Sequence, residues 1–153
     1  LGLFINNLSF SQCYGELQVG QGHITTVRPN GTLWGWGVSN TGQLANNIYS
    51  NPLPFQLNTA NDWQSVYNGG VNTFAIKSNG TLWAVGSNEY GSLGVGTSVL
   101  QYFSFQQIGT ANNWLKVASG NFHSVALKTD GSIWAWDQND TYQTGNNVGC
   151  TNQ

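Results

Sequence analysis

Gly31-Thr32-Leu33-Trp34-Gly35-Trp36-Gly37 returns as Gly80-Thr81-Leu82-Trp83-Ala84-Val85-Gly86 and again as Gly131-Ser132-Ile133-Trp134-Ala135-Trp136-Asp137. The copies start 49 and 51 residues apart. An aromatic residue, Tyr14, Trp63 or Trp114, stands 17 residues before each leading Gly. The last two open matching blocks, Asn61-Asp62-Trp63-Gln64-Ser65-Val66 and Asn112-Asn113-Trp114-Leu115-Lys116-Val117. A spacing held three times marks an internal repeat. A period near fifty belongs to architectures in which one small unit stacks on its neighbours to bury a shared core.

Within each copy the residues read as strands. His123-Ser124-Val125-Ala126-Leu127-Lys128 and Ser132-Ile133-Trp134-Ala135-Trp136 are short runs with β-branched and aromatic content, joined across Asp130-Gly131. The same join is Asn30-Gly31 and Asn79-Gly80 in the other copies. These dipeptides predict a type I′ hairpin, whose twist suits paired antiparallel strands. A strand is expected over residues 114–118, ended by Gly120, and an outer one over 105–108, matched by 55–57. Residues 98–107 leave room for a short turn. Four strands per copy is the strand count of a β-propeller blade. In the third strand Trp83 and Val85 alternate with Leu82, and Trp34 and Trp36 with Leu33, so both faces are apolar. Such a sheet needs cover on both sides, as stacked blades provide. The expected fold class is all-β, with blades of four antiparallel strands.

Composition narrows the function classes. Charged residues are 7% of the 153, against roughly 25% in an average soluble domain, while Asn is as common as Gly. Solubility must come from amides and hydroxyls. Arg28, Lys77, Lys116 and Lys128 are the whole basic complement and the net charge is −2, so nucleic acid is not an expected partner. No apolar run reaches the length of a membrane-spanning helix. Cys13 and Cys150 lie near opposite ends, outside equivalent repeat positions and without metal-ligand spacing. A disulfide between them stays open.

The pattern Trp114-x-x-Val117-x-x-Gly120-x-x-His123-x-x-Ala126-x-Lys128-x-x-Gly131-x-Ile133-Trp134-Ala135-Trp136 resembles the repeat of the regulator of chromosome condensation family. The family's continuation, Gly-x-Asn-x-x-Gly-Gln-Leu-Gly, is similar to residues 37–45 and 86–94. The third copy departs, with Asp137, Tyr142 and Thr144 in place of Gly, Gly and Leu. The resemblance covers residues 14 to about 147 and implies a propeller of usually seven blades. Seven copies at this period need roughly 350 residues. The chain is therefore expected to be a fragment, with the missing blades belonging to the rest of the protein.

The expected organisation is residues 14–60 as repeat 1, 61–111 as repeat 2 and 112–153 as an incomplete repeat 3. Residues 1–13 have two readings. Leu1-Gly2-Leu3-Phe4-Ile5 followed by Leu8-Ser9-Phe10-Ser11-Gln12 resembles the tail of a bacterial export signal, the preferred reading, which implies a secreted or cell-surface protein. Alternatively they are the outer strand of a preceding blade, since Leu8, Leu57 and Ile108 each lie six residues before the aromatic position.

Few residues are left for chemistry. His23 and His123 occupy one repeat position, where the second copy has Asn72, which favours a hydrogen-bonding role beside the Gly20 and Gly120 turns over acid–base work. Asp130 is a hairpin residue. Asp137, Asn139 and Asp140, read as a polar loop, supply too few oxygens for calcium. Asn7, Asn30, Asn79 and Asn139 begin glycosylation-type triplets, which for Asn30 and Asn79 the hairpin explains. Most Trp recur with the repeat and read as packing, not as a carbohydrate or light-sensing platform. Tyr49, Phe55, Tyr90, Tyr102 and Phe103 lie in the variable segments and are the candidate partner-binding residues. The expectation is a binding scaffold for a protein or glycan, with no cofactor and no catalytic activity. The alternatives are guanine-nucleotide exchange on a small GTPase, as in the family's founding member, or an accessory domain of a larger secreted enzyme.

Overall fold

A computed structural model describes residues 15–137. Residues 1–14 and 138–153, with Cys13, Cys150, Asn139 and Asp140, lie outside the described part. Eleven strands follow one another: β1 Leu17–Val19, β2 His23–Val27, β3 Leu33–Val38, β4 Ser50–Gln56, β5 Trp63–Asn68, β6 Asn72–Lys77, β7 Leu82–Ser87, β8 Gln101–Gln107, β9 Trp114–Ser119, β10 His123–Lys128 and β11 Ile133–Asp137. They form three antiparallel meanders, β1-β2-β3-β4, β5-β6-β7-β8 and β9-β10-β11. These are propeller blades in sequence order. The outer strands start earlier than residues 55 and 105, at Ser50 and Gln101. The short turn is a 3-10 turn over Glu89–Gly91 rather than within 98–107, which the outer strand occupies. Asp137 closes β11 and is not in a loop.

The middle sheet is apolar on both faces and covered on both. Toward the first sheet, Trp63, Val66 and Ala75 meet Leu33, Leu44 and Leu57. Toward the third, Phe74, Ile76, Leu82 and Ala84 meet Trp114, Val117, Ala126 and Trp136. Ala75 faces one way and its neighbours Phe74 and Ile76 the other, the period-2 alternation of a strand. Trp63 and Val66, three apart, would fall on opposite faces of a regular strand. A bulge resolves this: Trp63 pairs with Lys77 and Ser65 with Ile76, so Gln64 is an extra residue. The same shift separates Trp114, opposite Lys128, from Lys116, opposite Leu127. Trp-x-x-Val thus keeps both large side chains in one core.

The hairpins differ from the type I′ expectation. Gly31 N–H donates to the Arg28 carbonyl, Arg28 N–H donates to that of Thr32, and positive φ is confined to Gly31 at 77°. This is the three-residue alternative, a type I turn followed by a left-handed Gly. Residues 77–81 and 128–132 repeat it, with Gly80 at 79° and Gly131 at 85°. The turn side chains form a relay. Thr32 donates through both N–H and Oγ1–H to Asn30 Oδ1, and the Trp34 indole donates to Thr32 Oγ1 at 2.9 Å. Asn79, Thr81 and Trp83 repeat these bonds, as do Asp130, Ser132 and Trp134. The Ser132 hydrogen bonds hold the Asp130 carboxyl below the usual carboxylate range.

The first two hairpins also clasp the next blade. Trp63 N–H donates to the Gly31 carbonyl at 3.0 Å, and Trp114 N–H to that of Gly80 at 3.1 Å. The approach is so close that a Cβ on Gly31 or Gly80 would overlap the carbonyl oxygen of Asn61 or Asn112. Glycine is required there twice, for φ and for contact.

At the opposite end of the blades a buried polar layer joins the sheets. His23 Nε2 meets Thr73 Oγ1 at 3.0 Å, and Thr73 donates onward to the Gln43 carbonyl at 2.7 Å. Ser124, the repeat equivalent of Thr73, donates to the Ser92 carbonyl, the equivalent of Gln43. Asn72 Oδ1 accepts from Ser119 across the next seam at 3.3 Å. Burial pushes the His23 pKa down to about 4, against hydrogen bonding that pulls it up.

Two outcomes are expected. Gly80→Ala meets both a positive φ and the Asn112 carbonyl, whereas Gly96→Ala meets only a positive φ of 69° in open space. Urea unfolding should show a loss of about 3 kcal/mol for the first and about 1 kcal/mol for the second. For His23 the unfolded chain binds the proton more readily than the folded one, so stability rises with pH between about 4 and 6.5. Melting compared at pH 4.5 and 7.5 should show up to about 3 kcal/mol of acid sensitivity, and His23→Asn, which installs the residue of the second blade, should remove most of it.

Candidate functional site

The two ends of the blades are chemically different. The hairpins, residues 28–32, 77–81 and 128–132, occupy one end, and three of the four basic residues stand there. The Arg28 guanidinium lies 3.5 Å from the Trp34 ring centre. Lys77 sits between Trp63 and Trp83 at 5.0 and 5.1 Å, and Lys128 between Trp114 and Trp134 at 4.6 and 4.0 Å. Lys77 also pairs with Asp62 at 3.1 Å. These cations serve the fold, since each shields an indole face at the edge of the core.

Because β2 begins where β3 ends, with His23 opposite Gly37, the β1–β2 turn and the long β3–β4 loop share the other end. Residues 20–22, 69–71 and 120–122 are the turns there, and residues 39–49 and 88–100 the loops. Backbone and side-chain bonds hold the loops. Ser39 Oγ and Asn88 Oδ1 accept from the Leu44 and Leu93 amides, and Asn88 Nδ2 donates to the Thr97 and Val99 carbonyls. Leu44 and Leu93 are fully buried as pegs. Among the described residues Glu89 is the one charged group in these turns and loops.

The five candidate residues separate by environment. Tyr49 is 73% exposed and Tyr90 62%. Phe55 is half-buried against the core between the first two sheets. Tyr102 packs on the core between the second and third sheets and bonds Thr97 through its hydroxyl at 2.6 Å. Half-buried Phe103 lies beside Gly42, close enough that a Cβ there would come within 2.9 Å of its ring. Among the described residues no two of the five stack on each other.

Tyr90 instead meets Phe122, edge to face, with ring centres 5.9 Å apart and planes at 81°. Phe122 is itself 42% exposed. Tyr90 also adopts φ 57°, a left-handed conformation that costs a bulky side chain about 1–2 kcal/mol. The pair crosses the seam between the second and third blades. At the preceding seam the equivalent residues are Thr41 and Val71, joined by a hydrogen bond from Thr41 Oγ1 to the Val71 carbonyl at 3.1 Å. Phe122 was not among the residues singled out from the sequence. It sits in a turn where equivalent positions read Gly22, Val71 and Phe122, and that divergence inside an otherwise repeated turn is the signal that marks it.

His23 and His123 lie in different sheets with the middle sheet between them, so they make no acid–base pair. Among the described residues no group of three or more His, Cys, Asp or Glu assembles, and no helix is long and apolar enough to cross a membrane.

The repeat described as the Regulator of chromosome condensation (RCC1) repeat matches residues 79–127. The Regulator of chromosome condensation of Xenopus laevis is 31% identical over 124 residues, covering 78% of this chain and 29% of that protein. The structure of yeast RCC1 (Prp20) bound to Kap60 superposes with a TM-score of 0.78 at 20% identity, over 87% of this chain and 31% of the other. Prp20p of Saccharomyces cerevisiae, described with its binding properties to Gsp1p and histones, gives 0.74 at 20% identity over 88% and 34%. The chain thus spans about a third or less of each of these proteins. With the recurring clasp, the twin cores and the matched residues together, the chain belongs to the regulator of chromosome condensation (RCC1) repeat family.

Proposed function

We propose that this chain is a protein-binding scaffold that recognises its partner through the loop end of its blades and performs no chemistry of its own. The observation that carries this is the exposed Tyr90–Phe122 pair, held across a blade seam at the expense of a left-handed Tyr90 backbone. Strain at an exposed aromatic has no use in packing, and strained residues concentrate where a side chain must be presented. Aromatic rings on a rigid frame are the residue type that dominates protein interfaces. The histidines support binding over catalysis, because the deeper one is held in a hydrogen bond between blades and kept uncharged near neutrality. Binding also fits the yeast relative, whose structures are described with Kap60, Gsp1p and histones.

Placement outside the cell, and a glycan in place of a protein, belong to the same proposal; the first is supported by the export-like sequence of residues 1–13. Guanine-nucleotide exchange is the competing activity. It would appear as faster release of labelled GDP from a small GTPase on adding the chain, and no acceleration is expected.

The decisive variant is Tyr90→Gly. Glycine takes φ 57° without strain, so thermal stability should stay within about 1 kcal/mol of the parent or rise. Partner capture by the immobilised protein should fall at least tenfold, against no change for Glu16→Gln on β1's approach, away from the loop end. Lost stability with intact capture would make Tyr90 a packing residue and remove the main support for a loop-end surface.

A further inference from the structure

We infer that the Tyr90–Phe122 seam is a receptor for a cationic peptide segment, with a partner's arginine or lysine lying on the aromatic pair beside the Glu89 carboxylate. The inference rests on the loop-end surface proposed above and narrows its partner. Among the repeat-equivalent positions that differ between this seam and the one before it, three bear on the aromatic pair and its charge. Asn40, Thr41 and Val71 become Glu89, Tyr90 and Phe122. A neutral amide gains a charge, and a hydroxyl and an aliphatic group become rings. All three changes favour a cation, through charge at Glu89 and through the ring faces of the other two.

The chain shows the same chemistry satisfied from within at its opposite end. There Arg28, Lys77 and Lys128 cover Trp faces at 3.5 to 5.1 Å. The fourth basic residue, Lys116, lies in β9 opposite Leu127 and lines the cleft along β1, β5 and β9. None of the four reaches the loop end, where Glu89 and Tyr90 are both exposed. A cation over these rings must therefore come from outside this sequence. A peptide suits the place better than a compact ligand, because the pair lies open on a seam rather than inside a cavity, with Val99 and Leu100 exposed on the loop that follows Tyr90.

The test uses three short peptides of one sequence frame, bearing arginine, its uncharged isostere citrulline, or glutamate, titrated by fluorescence anisotropy at low ionic strength, where surface charge is least screened. Binding of the arginine peptide is expected to exceed that of citrulline by about fivefold or more, with the glutamate peptide weakest. The variant E89Q/Y90N/F122V should abolish the preference. Asn is chosen because it tolerates a left-handed backbone, and Val is the residue at position 71. E16Q, removing an acid of equal charge elsewhere, should retain the preference to within twofold. Equal binding of the three peptides overturns the inference, as does a preference that survives the triple variant or that E16Q weakens as much. If the parent protein shows no peptide preference while the triple variant still loses protein capture, the loop-end surface stands and only its cationic partner falls. If neither capture nor preference responds, both fall together.

Discussion

Every other feature of the fold depends on the seam in which the carbonyl of a hairpin glycine receives the backbone N–H of the next blade's first tryptophan. A single sheet of this composition cannot exist alone, because its third strand is apolar on both faces and antiparallel sheets with two apolar faces need two covers. The bond from Trp63 to Gly31, repeated from Trp114 to Gly80, fixes where the next sheet starts. That placement sets Trp63 and Trp114 over the core they close. The bulge one residue later then turns Val66 and Val117 to the same side. Remove the glycine and two things fail at once, since the turn loses its left-handed residue and the neighbour loses its approach.

The second seam contact, at the loop end, has a different chemical character. It is built from hydroxyls and amides instead of glycine and indole, with Thr73 and Ser124 reaching the Gln43 and Ser92 carbonyls and the Trp136 indole joining at the latter. This accounts for a composition so poor in charge and so rich in Asn, Ser and Thr. The buried hydroxyls of Thr73 and Ser124 and the Nε2 of His23 are hydrogen-bonded between blades, where a charge would have to be desolvated. His23 shows what that environment does to an ionisable group, because its imidazole is driven to the neutral form.

Repeat period, strand order and the two-sided core were legible because each is written three times and differences between copies average out. What single positions decide was less so. Asn-Gly pointed to a two-residue turn, but Thr32 and Thr81 hydrogen-bond back to the Asn side chain and favour the three-residue form, an effect visible only once the relay geometry is known. The Trp-x-x-Val spacing contradicts simple alternation and already contained the bulge, yet reading it needed the register of the partner strand. Among the variable aromatics, sequence divergence selected five, and burial separates them: Phe55, Tyr102 and Phe103 vary because the seams and outer strands they fill vary, while Tyr49 and Tyr90 vary in the open. Phe122 escaped notice because it lies between Gly120 and His123, inside a motif otherwise accounted for by the repeat.

A repeated frame also constrains where new function can arise. Positions that make the clasp or the polar seam act on two blades, so a change there is paid for twice and the copies stay alike. The 3-10 turn over Glu89–Gly91 and the tip of the β9–β10 turn touch each other across a seam without carrying the clasp or the Ser92 contacts. Such a site can drift from Thr41 and Val71 to Tyr90 and Phe122 while the Ser124–Ser92 bond beneath it remains that of Thr73 and Gln43 at the preceding seam. The geometry of the seam then does for the pair what a pocket does elsewhere. It fixes the distance between two rings borne on different blades, so their spacing is set by the rigid part of the molecule although both stand on its most variable part.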